Sequence, residues 1–307
     1  MEFVIEKKKI DKWLDDLKKD FKVIDIRGKA LPAKQYFLPP KQKTFVFNKK
    51  TKKLSCPEYK KEFLVFGLGL ADLEAMTQLD EIMEKPYSDF FYWQKRNKSL
   101  IIGLVDESIE VAPGGDVILE KITDQQYRAL ILTDKGKAII KDEFFDKKDK
   151  PSIKNYPQPD NPFKRMLLDS ELLAEAVKWS LNHKIWDKLG EQCLGCGICT
   201  YVCPLCHCFS IEDQVSLDNK ECSRCRQWDA CTLPEFSKVA GGHNFHKTIK
   251  QRYYNWFYHK FVRAYHEYGK SQCVACGRCR ENCPAGIKIS EVLKEIVDDY
   301  KKHLSAI

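Results

Sequence analysis

The chain has 307 residues, 31% of them charged, and a formal net charge of +8. That length suits two domains with cores of their own, and no run approaches the roughly 18 apolar residues of a membrane-spanning helix. The positive balance comes mostly from scattered lysines such as Lys7, Lys8, Lys9, Lys147 and Lys148, a pattern of solvated surface that makes nucleic-acid binding a weak reading and an acidic redox partner at least as good a one.

Met1 to Lys9 has no extended apolar core ahead of a small-residue cleavage site, so a cytoplasmic protein is expected. Short strand-like runs follow at Phe21 to Ile26, Phe45 to Phe47, Phe63 to Phe66, Leu100 to Val105, Val117 to Ile122 and Tyr127 to Leu132. Helical spacing interrupts them around Ile10 to Leu17 and from Ala71 to Met83. The first domain is therefore expected to be mixed α/β, over residues 1–160. Gly67-Leu68-Gly69-Leu70 is read as a tight strand-to-helix turn, because Asp72 stands where a dinucleotide fingerprint needs its third glycine. Gly114-Gly115 is another turn.

Pro151, Pro157, Pro159 and Pro162 crowd one polar stretch and mark a linker. A second, mainly helical domain is expected over 161–307. It opens with a helix from Phe163 to Leu189, stopped by Gly190. A second helix is expected from Ile249 to Tyr268, whose aromatics Tyr253, Trp256, Phe257, Phe261 and Tyr265 suit a packed core, and a last one is capped by Ser290.

Two cysteine runs share one grammar. Cys193, Cys196, Cys199 and Cys203 precede Pro204, and Cys273, Cys276, Cys279 and Cys283 precede Pro284. Each reads Cys-x2-Cys-x2-Cys-x3-Cys-Pro, the bacterial ferredoxin signature of a [4Fe-4S] cluster, in which the fourth cysteine of one run ligates the other run's cluster. The expected sets are Cys193, Cys196, Cys199 and Cys283 for the first cube, and Cys273, Cys276, Cys279 and Cys203 for the second. Gly195, Gly197, Ala275 and Gly277 let the loops bend closely, and the prolines turn each fourth cysteine away from its own loop. Of the 14 cysteines only Cys56 precedes residue 193, a local metal-site distribution rather than a disulfide framework. Zinc is the rival metal, though it seldom uses this triple spacing.

Five cysteines remain: Cys206, Cys208, Cys222, Cys225 and Cys231. Four of them could hold a third Fe–S cluster or zinc; the alternative is buried or neighbouring thiols. His243 and His246 read as hydrogen-bonding or packing groups rather than ligands. No nucleophile and base pair, phosphate loop or other catalytic constellation stands beside the cysteine runs.

The stretch Cys193 to Phe209, Arg226 to Cys231, Ala240-Gly241-Gly242-His243-Asn244-Phe245 and Cys273 to Pro284 resembles the iron–sulfur beta subunit of soluble NiFe hydrogenases (sulfhydrogenases) and the equivalent iron–sulfur component of anaerobic sulfite reductase. The resemblance runs through residues 160–290 and is weaker before them, mainly at Phe63 to Met76 and Leu100 to Leu104. It implies a non-catalytic redox subunit of an oxidoreductase complex. Its electrons would come from a flavin-containing NAD(P)H reductase subunit. They would leave to a catalytic partner such as a NiFe hydrogenase, with sulfite reductase next. The resemblance implies that Cys206, Cys208 and Cys231 belong to the shared pattern while Cys222 and Cys225 are peculiar to this chain. Related chains carry first-domain cysteines at places held here by Ala71, Asp106 and the cysteine-free stretch to Gly115, so no cluster is expected there and Cys56 stands alone. A different class of protein, an interaction or nucleic-acid-binding module with structural clusters, is the alternative. The expected fold is α+β: a mixed α/β domain, then a ferredoxin-like domain binding two [4Fe-4S] clusters.

Overall fold

A computed structural model describes residues 2–149, 151 and 153–306. The chain forms two compact units, one of residues 1–38 and 58–160, the other of residues 39–57 and 161–307. The fold is mixed α/β with two sheets. Among the described residues no helix is long and apolar enough to cross a membrane.

The strands are β1 (Glu2–Glu6), β2 (Lys22–Asp25), β3 (Lys41–Asn48), β4 (Lys53–Ser55), β5 (Phe63–Leu68), β6 (Ser99–Val105), β7 (Val117–Thr123), β8 (Gln126–Ile131), β9 (Phe145–Lys148), β10 (Phe209–Val215) and β11 (Glu221–Trp228). In the first unit they form a seven-stranded sheet ordered β2-β5-β6-β7-β8-β1-β9. The pairs from β2 to β7 are parallel and the rest antiparallel. The central strands β5 and β6 are almost wholly buried, as continuous apolar runs covered on both faces should be.

The helix Lys7–Leu17 buries Ile10, Trp13, Leu14 and Leu17, one stripe at helical spacing. That stripe joins Leu64, Phe66, Leu100, Ile102 and Leu119 in one core, and the Trp13 indole donates to the Ile139 carbonyl at 3.0 Å. After the Gly67–Gly69 turn the helix Leu70–Glu84 packs over β6; a Cβ at Gly103 would lie 2.7 Å from Leu73 Cδ1. The helix Phe90–Arg96, the strand β1 and the edge strand β9 also belong to this unit and were not evident in the sequence pattern.

The second unit is not purely helical. Residues 41–55 form a hairpin that pairs with β11, giving a four-stranded sheet ordered β10-β11-β3-β4. β10 is mostly exposed, including its alternating apolar residues Phe209, Ile211 and Val215, and Asp213 interrupts that alternation. The helix expected over 163–189 is broken. It runs as Pro162–Leu168, Ser170–Trp179 and Ile185–Gln192, with a short 3-10 turn at Ser180–Asn182. Asp169 caps the second piece by accepting from the Leu172 amide at 3.1 Å, and the Trp186 indole donates to the Ser180 carbonyl at 2.6 Å. Gly190 does not stop the third piece. It lies inside that helix, where a Cβ would meet Lys250 at 3.2 Å, so its use is close helix approach. The last helix begins at Ile289, one residue before the expected cap Ser290.

Asp116 ties the first sheet together. Buried between β6 and β8, it accepts from the Ile101 amide at 2.8 Å and the Thr133 hydroxyl at 2.7 Å. Asp116→Ala leaves both donors without their acceptor and is expected to cost about 2–4 kcal/mol, read as a lowered urea midpoint for the first unit's unfolding; a change within about 0.5 kcal/mol would contradict this placement.

Candidate metal centre

The two cysteine loops fold alike. Gly195 and Ala275 take φ of 63° and 54°, and Gly197 and Gly277 take 77° and 79°. Gly197 and Gly277 each precede a short helix, Ile198–Tyr201 or Arg278–Glu281. The Cys203 amide donates to the Thr200 carbonyl and the Cys283 amide to the Arg280 carbonyl, both at 3.3 Å. The repeated spacing therefore encodes a repeated backbone path, with left-handed positions that a side chain resists.

The eight cysteines collect at two cavities. One is lined by Cys203, Cys273, Cys276 and Cys279, together with Pro204, Trp256 and Lys260. The other is lined by Cys193, Cys196, Cys199 and Cys283, with Pro284, Tyr253 and Trp256, and Cys279 reaches it too. Each cavity thus gathers the first three cysteines of one run and the last of the other. Cys196 is exposed, Cys203 buried and the rest half-buried.

Donors already face the sulfurs. The Gly195 amide lies 3.4 Å from Cys193 Sγ, the Ile287 amide 3.4 Å from Cys283 Sγ and Lys260 Nζ 3.3 Å from Cys203 Sγ. Burial pushes the thiols up, Cys199 to about 12 and Cys273 to about 11, while Lys260 pulls both back down. Without metal these groups are thiols, so cluster binding displaces protons into solvent.

The residues fit [4Fe-4S] groups on three counts. The donor sets are four cysteines each, hydrogen-bond donors face the sulfurs, and Trp256, a residue that lines both cavities, has a buried indole nitrogen with no protein partner. The first cavity has room, about 200 Å³; the second is tighter, about 20 Å³, and the fit there rests on its donor set. Among the described residues no three or more His, Cys, Asp or Glu are arranged around a single metal ion.

The five further cysteines do not gather at one point. Cys222 and Cys225 are three residues apart on β11, and strand alternation sends them to opposite faces. Cys222 lines a surface groove with Phe45, Phe47 and Leu54, while Cys225 is buried, its sulfur 3.8 Å from Gln214 Oε1. Cys206, Cys208 and Cys231 stay together beside Cys199. A hydrogen bond with Cys208, and then burial, push Cys231 far above the ordinary thiol range. Cys56, expected in the first domain, sits at the end of the hairpin that joins the second unit, its sulfur 3.9 Å from the Pro57 carbonyl.

His243 is exposed and stacks edge-on with Phe245 at 4.8 Å. Burial, then Arg252, hold His246 below its usual range. The organiser of this block is Asn244, which accepts from Ser237 at 2.7 Å and from the His246 amide at 2.9 Å, and donates to the Pro234 carbonyl at 2.7 Å.

The expected helix 249–268 is present, with a π-helical turn at Tyr258–Arg263. One face carries Arg252, Trp256 and Lys260, all buried. The aromatics of this helix stand out in the sequence but its two buried cations do not; their placement four residues either side of Trp256 was the available signal.

Comparison with known proteins agrees with this site. Residues 192–287 match the 4Fe-4S dicluster domain. The chain is 29% identical over 290 residues to sulfhydrogenase 2 subunit beta of Pyrococcus furiosus, covering 89% of this chain and 85% of that one. The chain is a homologue of that beta subunit. Its cofactors are accordingly two [4Fe-4S] clusters, and it is an iron–sulfur electron-transfer protein related to a hydrogenase subunit. No solved structure matches it.

The loop geometry makes a paired forecast. A Cβ at Gly197 would lie 3.0 Å from the Ala230 Cβ and 3.3 Å from the Tyr201 ring, at φ 77°. Gly197→Ala is expected to cost about 1–2 kcal/mol and to lower retained iron. Ala275→Gly, which frees an already left-handed residue, should stay within about 1 kcal/mol and keep its iron; equal losses in thermal melts and iron assays would refute the argument.

Proposed function

We propose that this chain is the electron-relay subunit of a multi-subunit oxidoreductase. It accepts electrons from a flavin-containing NAD(P)H reductase and passes them to a catalytic partner, a NiFe hydrogenase first and a sulfite reductase next. The observation that supports the reading most is the pair of adjacent cysteine-lined cavities sharing Trp256 and Cys279. The relative's name, a sulfhydrogenase subunit, points to the same kind of assembly.

Cys193, Cys196, Cys199 and Cys283 would hold one cluster, and Cys273, Cys276, Cys279 and Cys203 the other. The two groups supply one-electron redox chemistry at potentials the surroundings adjust. The chain's own residues do the rest. Amides of Gly195 and Ile287 and the Lys260 ammonium donate to ligand sulfurs, favouring the more negative state. Tyr253 and Trp256 are buried at the cavity walls, backed by Phe257 and Phe261 in the same apolar core, and exclude water. Cys206, Cys208 and Cys231 serve as packed, hydrogen-bonded thiols, and no third metal is assigned to the five remaining cysteines.

The crossing of ligands is open to direct test. Anaerobically purified chain should hold about eight iron atoms and no zinc, four irons to each cube. Cys203→Ser should disturb the same electron paramagnetic resonance signal as Cys276→Ser, and Cys283→Ser the same one as Cys196→Ser. If Cys203→Ser instead matched Cys196→Ser, each run would hold its own cluster and the assignment would fail.

For the relay itself, the chain should be reduced reversibly by NAD(P)H when its co-purifying flavoprotein is present, and should reoxidise when the catalytic partner is added with its substrate. Redox silence in that assay, with salt-sensitive binding to nucleic acid, would replace the relay by the structural-cluster alternative.

A further inference from the structure

Lys260 is 3% exposed, the most deeply buried cation among the described residues of the second unit. Its Nζ donates to Cys203 Sγ at 3.3 Å and to the Gln272 carbonyl at 3.0 Å, and sits 5.5 Å from the centre of the Trp256 ring. The placement is fixed from the backbone as well. The π-helical turn at Tyr258–Arg263 leaves the Lys260 carbonyl to accept the Gln272 amide at 2.8 Å, one residue before Cys273. Such insertions into helices recur at functional sites.

Burying an ammonium is costly unless negative charge compensates it. The compensating group must lie in the cavity that Lys260 lines with Cys203, Cys273, Cys276 and Cys279. The other cavity is treated differently. Two buried cations bear on it, Lys260 on Cys199 and Arg252 on Cys193, but Arg252 directs its donors to the carbonyls of Thr232, His246 and Lys247, at 2.9, 3.2 and 2.9 Å. Charge reaches that cavity, but no side-chain cation donates to a cysteine sulfur there among the bonds described.

We infer that Lys260 is a potential-setting residue: it selectively stabilises the reduced state of the cluster in the Cys203, Cys273, Cys276 and Cys279 cavity and makes that cluster the better electron acceptor of the two. Reduction adds one negative charge, and both a fixed positive charge and a hydrogen bond to a ligand sulfur favour the state with more of it. Exposure works the other way at Cys196, where solvent helps the first cluster accept an electron. A direct donor in a buried setting, where charges interact most strongly, outweighs it. The inference rests on the ligand sets proposed above.

The test is a redox titration followed by electron paramagnetic resonance on the full chain. In the unsubstituted protein the signal lost in Cys276→Ser should titrate at the higher potential; the reverse order would overturn the inference. Lys260→Met should move that signal to lower potential by at least a tenfold change in the reduced-to-oxidised ratio at fixed poise, equivalent to about 59 mV for one electron. The Cys196-linked signal should move much less. Lys260→Arg, which keeps the charge, should recover most of the shift. If Lys260→Met loses iron, Lys260→Gln decides, a lowered potential supporting the role and an unchanged one refuting it. Intact iron with unmoved potentials would defeat Lys260 alone, whereas unsubstituted chain with about four irons would defeat the ligand sets beneath it.

Discussion

The constraint on which the second unit depends is that each cavity draws cysteines from both runs. Cys203 stands with Cys273, Cys276 and Cys279, and Cys283 with Cys193, Cys196 and Cys199. Neither set can assemble until both loops and the intervening segment have come together. The entropy of closing that long loop is offset by one apolar core rather than by local contacts. Leu173, Val177, Trp186, Leu189, Trp256, Phe257, Phe261, Leu293 and Ile296 form it, and half-buried cysteines of both runs pack against its edge. Packing and ligand geometry are thus the same problem: a shift of the helix carrying Trp256 and Phe257 moves the walls of both cavities.

What the sequence made legible follows the same division. The duplicated spacing predicted two loops of one conformation, and the left-handed backbone at Gly195 and Ala275, then Gly197 and Gly277, is what that spacing needs. The strands β5, β6 and β7 were readable because strands covered on both faces must be apolar throughout. The sheet of β10, β11, β3 and β4 was legible only at Phe45 to Phe47 of β3, because its strands carry exposed lysines, aspartates and glutamates and its two local hairpins are joined by pairing across 170 or more residues, as in Arg224 opposite Phe45. Local pattern holds no information about such a partner.

The same blindness to backbone type makes Cys222 and Cys225 misleading. Their Cys-x2-Cys spacing suits a metal loop, but on an extended strand a separation of three residues points side chains to opposite faces. Spacing is informative only once the backbone type is known. In the two ferredoxin-like runs the glycines announce a loop; between Cys222 and Cys225 stand Ser223 and Arg224, which do not. Continuous helix was likewise expected through Asp169 and Ser180, where short polar side chains instead compete for backbone groups and break it.

The segment between the runs explains why this is more than a pair of cluster loops. Thr248 and Gln251 start its helix with a reciprocal capping box, and the helix then presents Arg252, Trp256 and Lys260 on one buried face. Two buried cations and an indole nitrogen without a protein partner form an expensive surface for an apolar core. The expense is reasonable only against strongly accepting, negatively charged groups, and the cysteine-lined cavities are where such groups would sit. Trp256 lines both cavities, Lys260 lines one, and in the other burial raises Cys193 while Arg252 pulls weakly against it. On these energetics the helix is a wall built for anionic sulfur clusters, and it would be a poorly satisfied core without them.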